Sequence, residues 1–380
     1  MLLKGGEDVL ILGVGQSPYL RSPDSSYSTI DTLADATKLA IADSGLSLHE
    51  IDGLAVSSFT IKPDQAIDVA LKFGLKVNWI MDGSTGGSSG IDMLQHARAA
   101  ILAGDAENIL IVAGDVFHQD EFTNLIENYN QNTQKYLTQL GVKGPNPLFA
   151  MLTSVQMDKL EITKEDYGKI VCRQREWAAS NPNALFTEPL TMEQYLNAPP
   201  VATPLGMFDC VPVASGANAL VLSSGKSKPR HSARIVDIAV NHNFDNHEGD
   251  GTSTGLSEIA KPFLKRNNID IKQIEVLSVY DDYPAIVIAQ LIDLGLVDPQ
   301  SASASLDTLI NNPKMRINSS GGQLSAGQSG AGAGLHGVYE VIGAFRRDPS
   351  IGYRTGLVSG YGMVGYRYGM CANVIALEII

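Results

Sequence analysis

The chain has 380 residues, 44% of them hydrophobic, enough to bury two cores of ordinary size. Lysine and arginine number 28 against 41 aspartates and glutamates, a net charge of −13 that argues against nucleic acid or an anionic membrane as partner. No run approaches the roughly eighteen apolar residues that a membrane helix needs, and the opening Met1 to Gly6 lacks the pattern of a secretion signal. Cys172, Cys210 and Cys371 lie far apart, with no Cys-x-x-Cys pair or Cys/His cluster, so a reducing, cytoplasmic setting without a metal site is expected.

In chain order, Val9 to Val14 reads as a buried strand and Ser28 to Ser44 as a helix, with Ser28 and Asp31 as capping candidates. A turn then leads into a second strand ending at Val56. Gln65 to Phe73 reads as a helix, and the glycine-rich turn Asp82 to Gly90 feeds another helix, Ile91 to Leu102. Ile109 to Gly114 is a buried strand. From Asp115 to about Leu205 the pattern breaks into an Asn/Gln-rich and then proline-studded stretch. Its length predicts an inserted lid with helices of its own, such as Lys164 to Ser180.

The second half repeats the order of the first. Ala233 to Val240 is a strand and Ser257 to Arg266 a helix. Leu46, Leu48, Ile51, Asp52, Leu54 and Val56 then fall without a gap on Ile269, Ile271, Ile274, Glu275, Leu277 and Val279. A second glycine-rich stretch, Asn318 to Gly334, feeds the helix Leu335 to Arg347, and a strand begins at Gly356. The pattern predicts an α/β layered fold made by duplication, with residues 1–230 as a first half carrying the lid (about 115–205) and 231–380 as a second. The two glycine-turn helices should meet near a pseudo-twofold axis. Each glycine turn has two readings: a close packing turn, or a helix N-terminus whose free N–H groups hold an anion or oxyanion.

Three motifs in order carry a resemblance. Val279-Tyr-Asp-Asp-Tyr-Pro resembles a Tyr-Asp-x-Phe motif. Asp209-Cys-Val-Pro-Val-Ala-Ser-Gly-Ala resembles Asp-Cys-x-x-x-x-Asp-Gly-Ala, with Ser215 replacing the second acid. The glycine run from Asn318 to Gly334 is the third. With the duplicated units, these resemble the thiolase superfamily over nearly the whole chain, on the branch of sterol-carrier-protein-type thiolases and thiolase-like acyl-CoA lyases, the steroid side-chain aldolases among them. The resemblance implies an α-β-α-β-α fold with an inserted lid.

The departures from the family pattern bear on function. Ser89-Gly90 fits the end of the family's Cys-x-Ser-Gly turn, which puts Gly87 where the nucleophilic cysteine belongs. The Gly-His-Pro histidine falls on Gln328, the second cysteine near Val358 or Ser359, and the Asn-Glu-x-Phe asparagine on Tyr280. A glycine cannot carry an acyl group, and an amide cannot titrate near neutrality. The resemblance therefore implies an enzyme that cleaves a β-hydroxyacyl-CoA by retro-aldol chemistry without a covalent intermediate. The alternatives are an acyltransferase or thiolase of the acetyl-CoA acetyltransferase kind, using Ser88, and a non-catalytic acyl-CoA-binding subunit.

The resemblance implies Tyr280 as an acid/base group and Gln328 at the histidine position, with Tyr283 or Tyr361 as a candidate second phenol; His118, which ends a buried strand at the start of the lid, is a further candidate by its position. Gly87, Ser88, Ser89, Gly360 and Gly362 are the expected oxyanion and substrate contacts. The glycine turns 86–90 and 327–334 are expected to lower the pKa of Tyr280 toward neutrality. Asp281 or Asp282 is expected to cap the helix beginning at Pro284, and His336 to be packed against neighbours. No tightly bound cofactor is expected, coenzyme A entering as part of the substrate. A homodimer and a small OB-fold/zinc-ribbon partner subunit complete the expectation.

Overall fold

A computed structural model describes residues 8–63, 65–118, 121–225 and 232–380. The first half runs β1 (Leu10–Gln16), α1 (Thr29–Ser44), β2 (Gly53–Ser57), α2 (Gln65–Phe73), β3 (Trp79–Asp82), α3 (Ser89–Ala103) and β4 (Asn108–Asp115). An insertion follows, with α4 (Glu121–Glu127), α5 (Asn146–Leu160), α6 (Lys164–Ala178), α7 (Met192–Leu196) and a hairpin of β5 (Pro200–Ala202) and β6 (Leu205–Gly206). After it comes β7 (Gly216–Ser223). The second half runs β8 (Ala233–His242), α8 (Leu256–Arg266), β9 (Val276–Val279), α9 (Pro284–Asp293), α10 (Ala302–Ile310), β10 (Arg316–Ile317), α11 (Gly322–Ala326), α12 (Ala333–Arg347), β11 (Thr355–Val364) and β12 (Gly369–Ile379). The anticipated boundary at 230/231 falls within 226–231, outside the described residues.

Ten strands are hydrogen-bonded in the order β10-β9-β11-β12-β8-β1-β7-β4-β2-β3. The order is a palindrome about the β8–β1 contact. In each half two parallel pairings lie at the outer end and two antiparallel pairings toward the middle. Only Leu10 and Ile11 of β1 pair across to Arg234 and Ala233 of β8, so the halves are joined by a short seam. The duplication read from sequence is thus a duplication of topology.

Strand alternation assigns the layers, because successive side chains point to opposite faces. In β4, Ile109, Ile111 and Ala113 face a core shared with Ile91 and Leu94 of α3 and Leu335 and Val338 of α12. Ile375, Leu377 and Ile379 of β12 enter the same core from the other half. The opposite face of β4, Leu110 and Val112, packs with Leu33 of α1 and Val69 of α2. The opposite face of β12, Val374 and Ala376, packs with Phe263 of α8 and Ile288 of α9. This gives helix, sheet, helix, sheet, helix, with α3 and α12 in the middle layer.

Glycines set the closeness of that middle layer. A Cβ at Gly90 would stand 2.0 Å from the Gly334 carbonyl oxygen, so the two glycine-turn helices touch backbone to backbone at their N-terminal ends. The packing reading of these turns therefore holds at Gly90 and Gly334. Ala97 and Ala100 of α3 are buried in the chain's own core, while Ala99 stays exposed.

Candidate active site

The end of β9 and the loop after it carry the chemistry. Asn318, held at φ +50°, accepts from the Val279 amide (2.8 Å) and donates to its carbonyl (3.0 Å), clamping the strand just before Tyr280. Asp281 turns away from the cavity. Its carboxylate accepts from the Gln323 amide (3.0 Å), the Leu324 amide (3.3 Å) and Gln174 Nε2 (2.7 Å). It thus caps α11, whereas the N-cap of α9 is Tyr283, without a side-chain cap. The expectation that Asp281 or Asp282 caps the helix at Pro284 is corrected: Asp281 is bound to α11 and Gln174, Asp282 pairs with the Tyr280 hydroxyl, and the extended Tyr283 takes the N-cap position. Asp281 is raised to about 6 by burial, against the lowering effect of those hydrogen bonds.

A cavity of about 290 Å³ opens between the glycine turns and the insertion. Its lining brings Tyr280, Asp282, Gln328 and Gly87 together with the apolar Phe122, Leu125, Ile126, Leu148 and Phe149 of the insertion, along with Thr133, Lys143 and Asn146. Tyr283, Tyr361 and Gly362 also line it. Apolar walls around a few convergent polar groups are the usual form of a small-molecule site.

Gly87 and Tyr280 are locked together. A Cβ at Gly87 would lie 2.2 Å from Tyr280 Cζ, 2.3 Å from its Cε2 and 2.4 Å from the Tyr361 carbonyl oxygen. The phenol ring therefore occupies the space that any side chain at position 87 would need. On its other side, a Cβ at Gly362 would stand 2.6 Å from the Gly87 amide nitrogen, so β11 packs backbone to backbone against the glycine turn.

The Tyr280 hydroxyl donates to Asp282 Oδ2 at 3.1 Å, and Gln328 lines the same cavity. Burial, then the neighbouring Asp282 charge, push Tyr280 well above the ordinary phenol range. The shift is opposite to that expected from the glycine turns, because loss of water outweighs the N–H groups at the helix ends. Asp282 is itself raised to about 7 by burial. Its Oδ1 has no hydrogen-bond partner.

The other candidates separate. Tyr283 stacks on Phe149 (4.4 Å between centroids, 19° between planes) and donates to Asn146 Oδ1 at 2.6 Å. The Tyr361 hydroxyl accepts from the Gly369 amide at 2.6 Å. Gln328 sits at the cavity wall, its Oε1 accepting from the Gly330 amide at 3.0 Å. Ser88, Ser89 and Gly360 lie behind the wall. Ser88 Oγ donates to the Thr85 carbonyl at 2.8 Å, and a Cβ at Gly360 would meet Asn373 Oδ1 at 2.4 Å. His118 lies off the cavity, its Nε2 3.1 Å from the Tyr27 carbonyl oxygen. His336 is buried between the Tyr19 hydroxyl (3.1 Å) and Ser320 Oγ (2.9 Å), as expected of a packed histidine.

Burial raises all three thiols, Cys172 and Cys371 to about 11 and Cys210 to about 12, so none is a thiolate at neutral pH. Among the described residues, no group of three or more His, Cys, Asp or Glu is arranged to hold a metal, and no helix is long and apolar enough to cross a membrane.

Two cavity residues escape the sequence reading. Asp282 reads there only as half of a capping pair with Asp281. Tyr129 sits in the Asn/Gln-rich stretch that the sequence marks only as part of the inserted lid. It lines the cavity edge-on to Phe59 (5.8 Å between centroids, 70°), its hydroxyl 2.9 Å from where a Gly86 Cβ would lie. The only available signal is an aromatic residue within an otherwise polar stretch.

Comparison with known proteins agrees with this geometry. Residues 238–368 match the family described as thiolase C-terminal domain-like. The chain superposes on a solved Ltp2-ChsH2(DUF35) aldolase with a TM-score of 0.83 at 24% identity, covering 100% of this chain and 99% of that one. The chain has a thiolase-like fold. It is 25% identical over 355 residues to a steroid side-chain-cleaving aldolase of Thermomonospora curvata, covering 87% of this chain and 88% of the relative. It is 25% identical over 360 residues to a 17-hydroxy-3-oxo-4-pregnene-20-carboxyl-CoA lyase of Mycobacterium tuberculosis, covering 88% and 91%. Its fold and these two relatives are thus thiolase-like and aldolase-like in turn.

Proposed function

We propose that this thiolase-like protein is a lyase that cleaves a β-hydroxyacyl-CoA by retro-aldol chemistry, with no acyl-enzyme. The seating of Tyr280 against Gly87 carries the reading. Covalent thioester chemistry needs a nucleophile, and here the ring of an acid/base candidate fills the nucleophile's place. Ser88 is a poor substitute, since its hydroxyl is buried and donates to the Thr85 carbonyl and to Asp92, with no hydrogen bond to a histidine base. The aldolase and lyase names of the two relatives point the same way.

In this reading the β-hydroxyl of the substrate lies at the Tyr280 hydroxyl, with Gln328 beside it. The glycine turn at Gly87, which lines the cavity, is the candidate N–H donor that holds the thioester oxygen as the enolate forms. Tyr283 and Tyr361, each tied by its own hydroxyl to a neighbour, shape the wall next to Phe149. The apolar part of the cavity takes the acyl group, and coenzyme A remains outside it as the substrate's handle.

We further propose a homodimer through the open edge strand β3, where Ile80 is exposed, and a small OB-fold/zinc-ribbon partner subunit in a cytoplasmic setting. The partner finds support in the similar aldolase structure, which is named for two components, Ltp2 and ChsH2(DUF35). The test is incubation of the chain, alone and with its genomic-neighbour subunit, with a panel of β-hydroxyacyl-CoAs. Paired formation of a carbonyl compound and a shortened CoA thioester is expected. Absence of cleavage across the panel with the partner present would refute the lyase.

A further inference from the structure

We propose that Asp282 is the proton acceptor of the site and that Tyr280 acts as the relay between it and the substrate. The inference rests on the lyase reading for its chemistry and on three observations for its geometry. Asp282 lines the cavity; its Oδ2 accepts the Tyr280 hydroxyl proton at 3.1 Å; its Oδ1 has no partner. A buried carboxylate oxygen without a hydrogen bond is costly, and such groups in clefts are candidates for function.

The neighbouring Asp281 provides the contrast. It shares the loop and the burial, but two backbone amides and Gln174 bind its carboxylate. Of the paired acids, one is bound into α11 and the other keeps one oxygen free. The titratable groups around Asp282 are Tyr280, Tyr283 and Asp281 on its own loop, Tyr129, Lys143 and Cys210 from the insertion, and Tyr361 from β11. Lys143 is paired with Glu127 at 3.0 Å. The glycine loop 327–334 adds only the neutral Gln328. Tyr280 itself is held too far above neutrality to give up its proton unaided, while Asp282 sits at about 7.

The step balances without an added reagent. The substrate β-hydroxyl gives its proton to the Tyr280 oxygen as Tyr280 passes its own to Asp282. The O–H electrons form the new C=O bond, and the Cα–Cβ pair moves onto the thioester as an enolate. The same proton returns from Asp282 through Tyr280 to Cα. The products are a ketone or aldehyde and a CoA thioester shortened by that fragment.

Two measurements on the full chain with its partner test the assignment. In an infrared pH titration, wild type minus Asp282→Asn should reveal a buried carboxyl that protonates near pH 7. Tyr280→Phe should move that titration upward, because the phenol hydrogen bond favours the carboxylate. In turnover, Asp282→Asn should lose about 10²–10⁴-fold, the usual range for an acid/base group, and Asp282→Glu should recover part of the loss. The wild-type rate should fall as pH drops below 7, and that limb should vanish in Asp282→Asn. A carboxyl that stays ionised to pH 5, a titration indifferent to Tyr280→Phe, or an Asp282→Asn variant within threefold of wild type would each overturn the proposal. If wild type cleaves no β-hydroxyacyl-CoA, the lyase reading fails, and the infrared titration alone still decides whether Asp282 and Tyr280 share the proton.

Discussion

Gly87→Ala is the sharpest perturbation the structure offers, because it adds one methyl group to the cavity wall. That carbon would start 2.2 Å from Tyr280 Cζ and 2.4 Å from the Tyr361 carbonyl oxygen. Carbon atoms pack at about 3.5–4.0 Å, so the ring has to move by roughly 1.3 Å. The Tyr361 carbonyl belongs to β11 and is held by pairing of Tyr361 with Ala372, so it yields little. Overpacking of this kind costs about 1–3 kcal/mol. The displaced hydroxyl would stretch its 3.1 Å bond to Asp282 beyond hydrogen-bonding range. Misplacement by about 1 Å costs roughly 10²-fold in rate. We therefore expect Gly87→Ala to lower the free energy of unfolding by about 1–3 kcal/mol in urea titrations and turnover by about 100-fold or more. Adding Tyr280→Ala removes the ring that the new methyl group collides with, so the double variant should be more stable than the two single losses add up to, with a coupling of about 0.5–3 kcal/mol. A Gly87→Ala protein with wild-type stability and turnover would refute the seating of Tyr280 on Gly87.

Other predictions concern the same loop and the thiols. Tyr280→Phe keeps the ring, so unfolding should be little changed while turnover falls about 10²–10⁴-fold; equal activity would remove the hydroxyl from the mechanism. Replacing Cys172, Cys210 and Cys371 in turn by Ala should leave kcat within about tenfold, since none is a ready nucleophile; loss of several orders of magnitude in a folded variant would restore covalent thiolase chemistry. Asp281, Asp282 and Glu340 are raised by burial to about 6, 7 and 7. The folded chain thus keeps protons that the unfolded chain has released, and these three groups make stability fall as pH rises from about 4 to 7. Asp282→Asn should accordingly gain stability relative to wild type at pH 8 and little at pH 5, in paired denaturant titrations.

Much of the fold is legible in the sequence because local rules and global pattern agree. Ser28 and Asp31 form the capping box expected at the start of α1, and α2 spans Gln65–Phe73 as read. The gap-free match of Leu46 to Val56 with Ile269 to Val279 corresponds to a short turn and strand in each half, β2 and β9. β12 gives no such signal, because its residues are buried along nearly the whole strand, with no alternation to mark it. The site is legible only in part. Tyr280 and Gly87 stand out against a motif, but their contact joins residues far apart in the chain. Asp281 and Asp282 are indistinguishable locally; α11 from beyond β10 decides which of them is bound. Tyr129 owes its place to the fold of the insertion, where Asn130 Nδ2 donates to the Val364 carbonyl at 2.8 Å and draws the loop to β11.

The central claim is cleavage without a covalent intermediate, and intact-protein mass spectrometry during turnover tests it most directly. The chain and its partner are mixed with a β-hydroxyacyl-CoA, quenched within the first turnovers, and protein and CoA products are weighed together. The account predicts an unmodified chain beside a carbonyl product and a shortened CoA thioester. A chain heavier by the acyl group, at Ser88, a cysteine or any other residue, would contradict it.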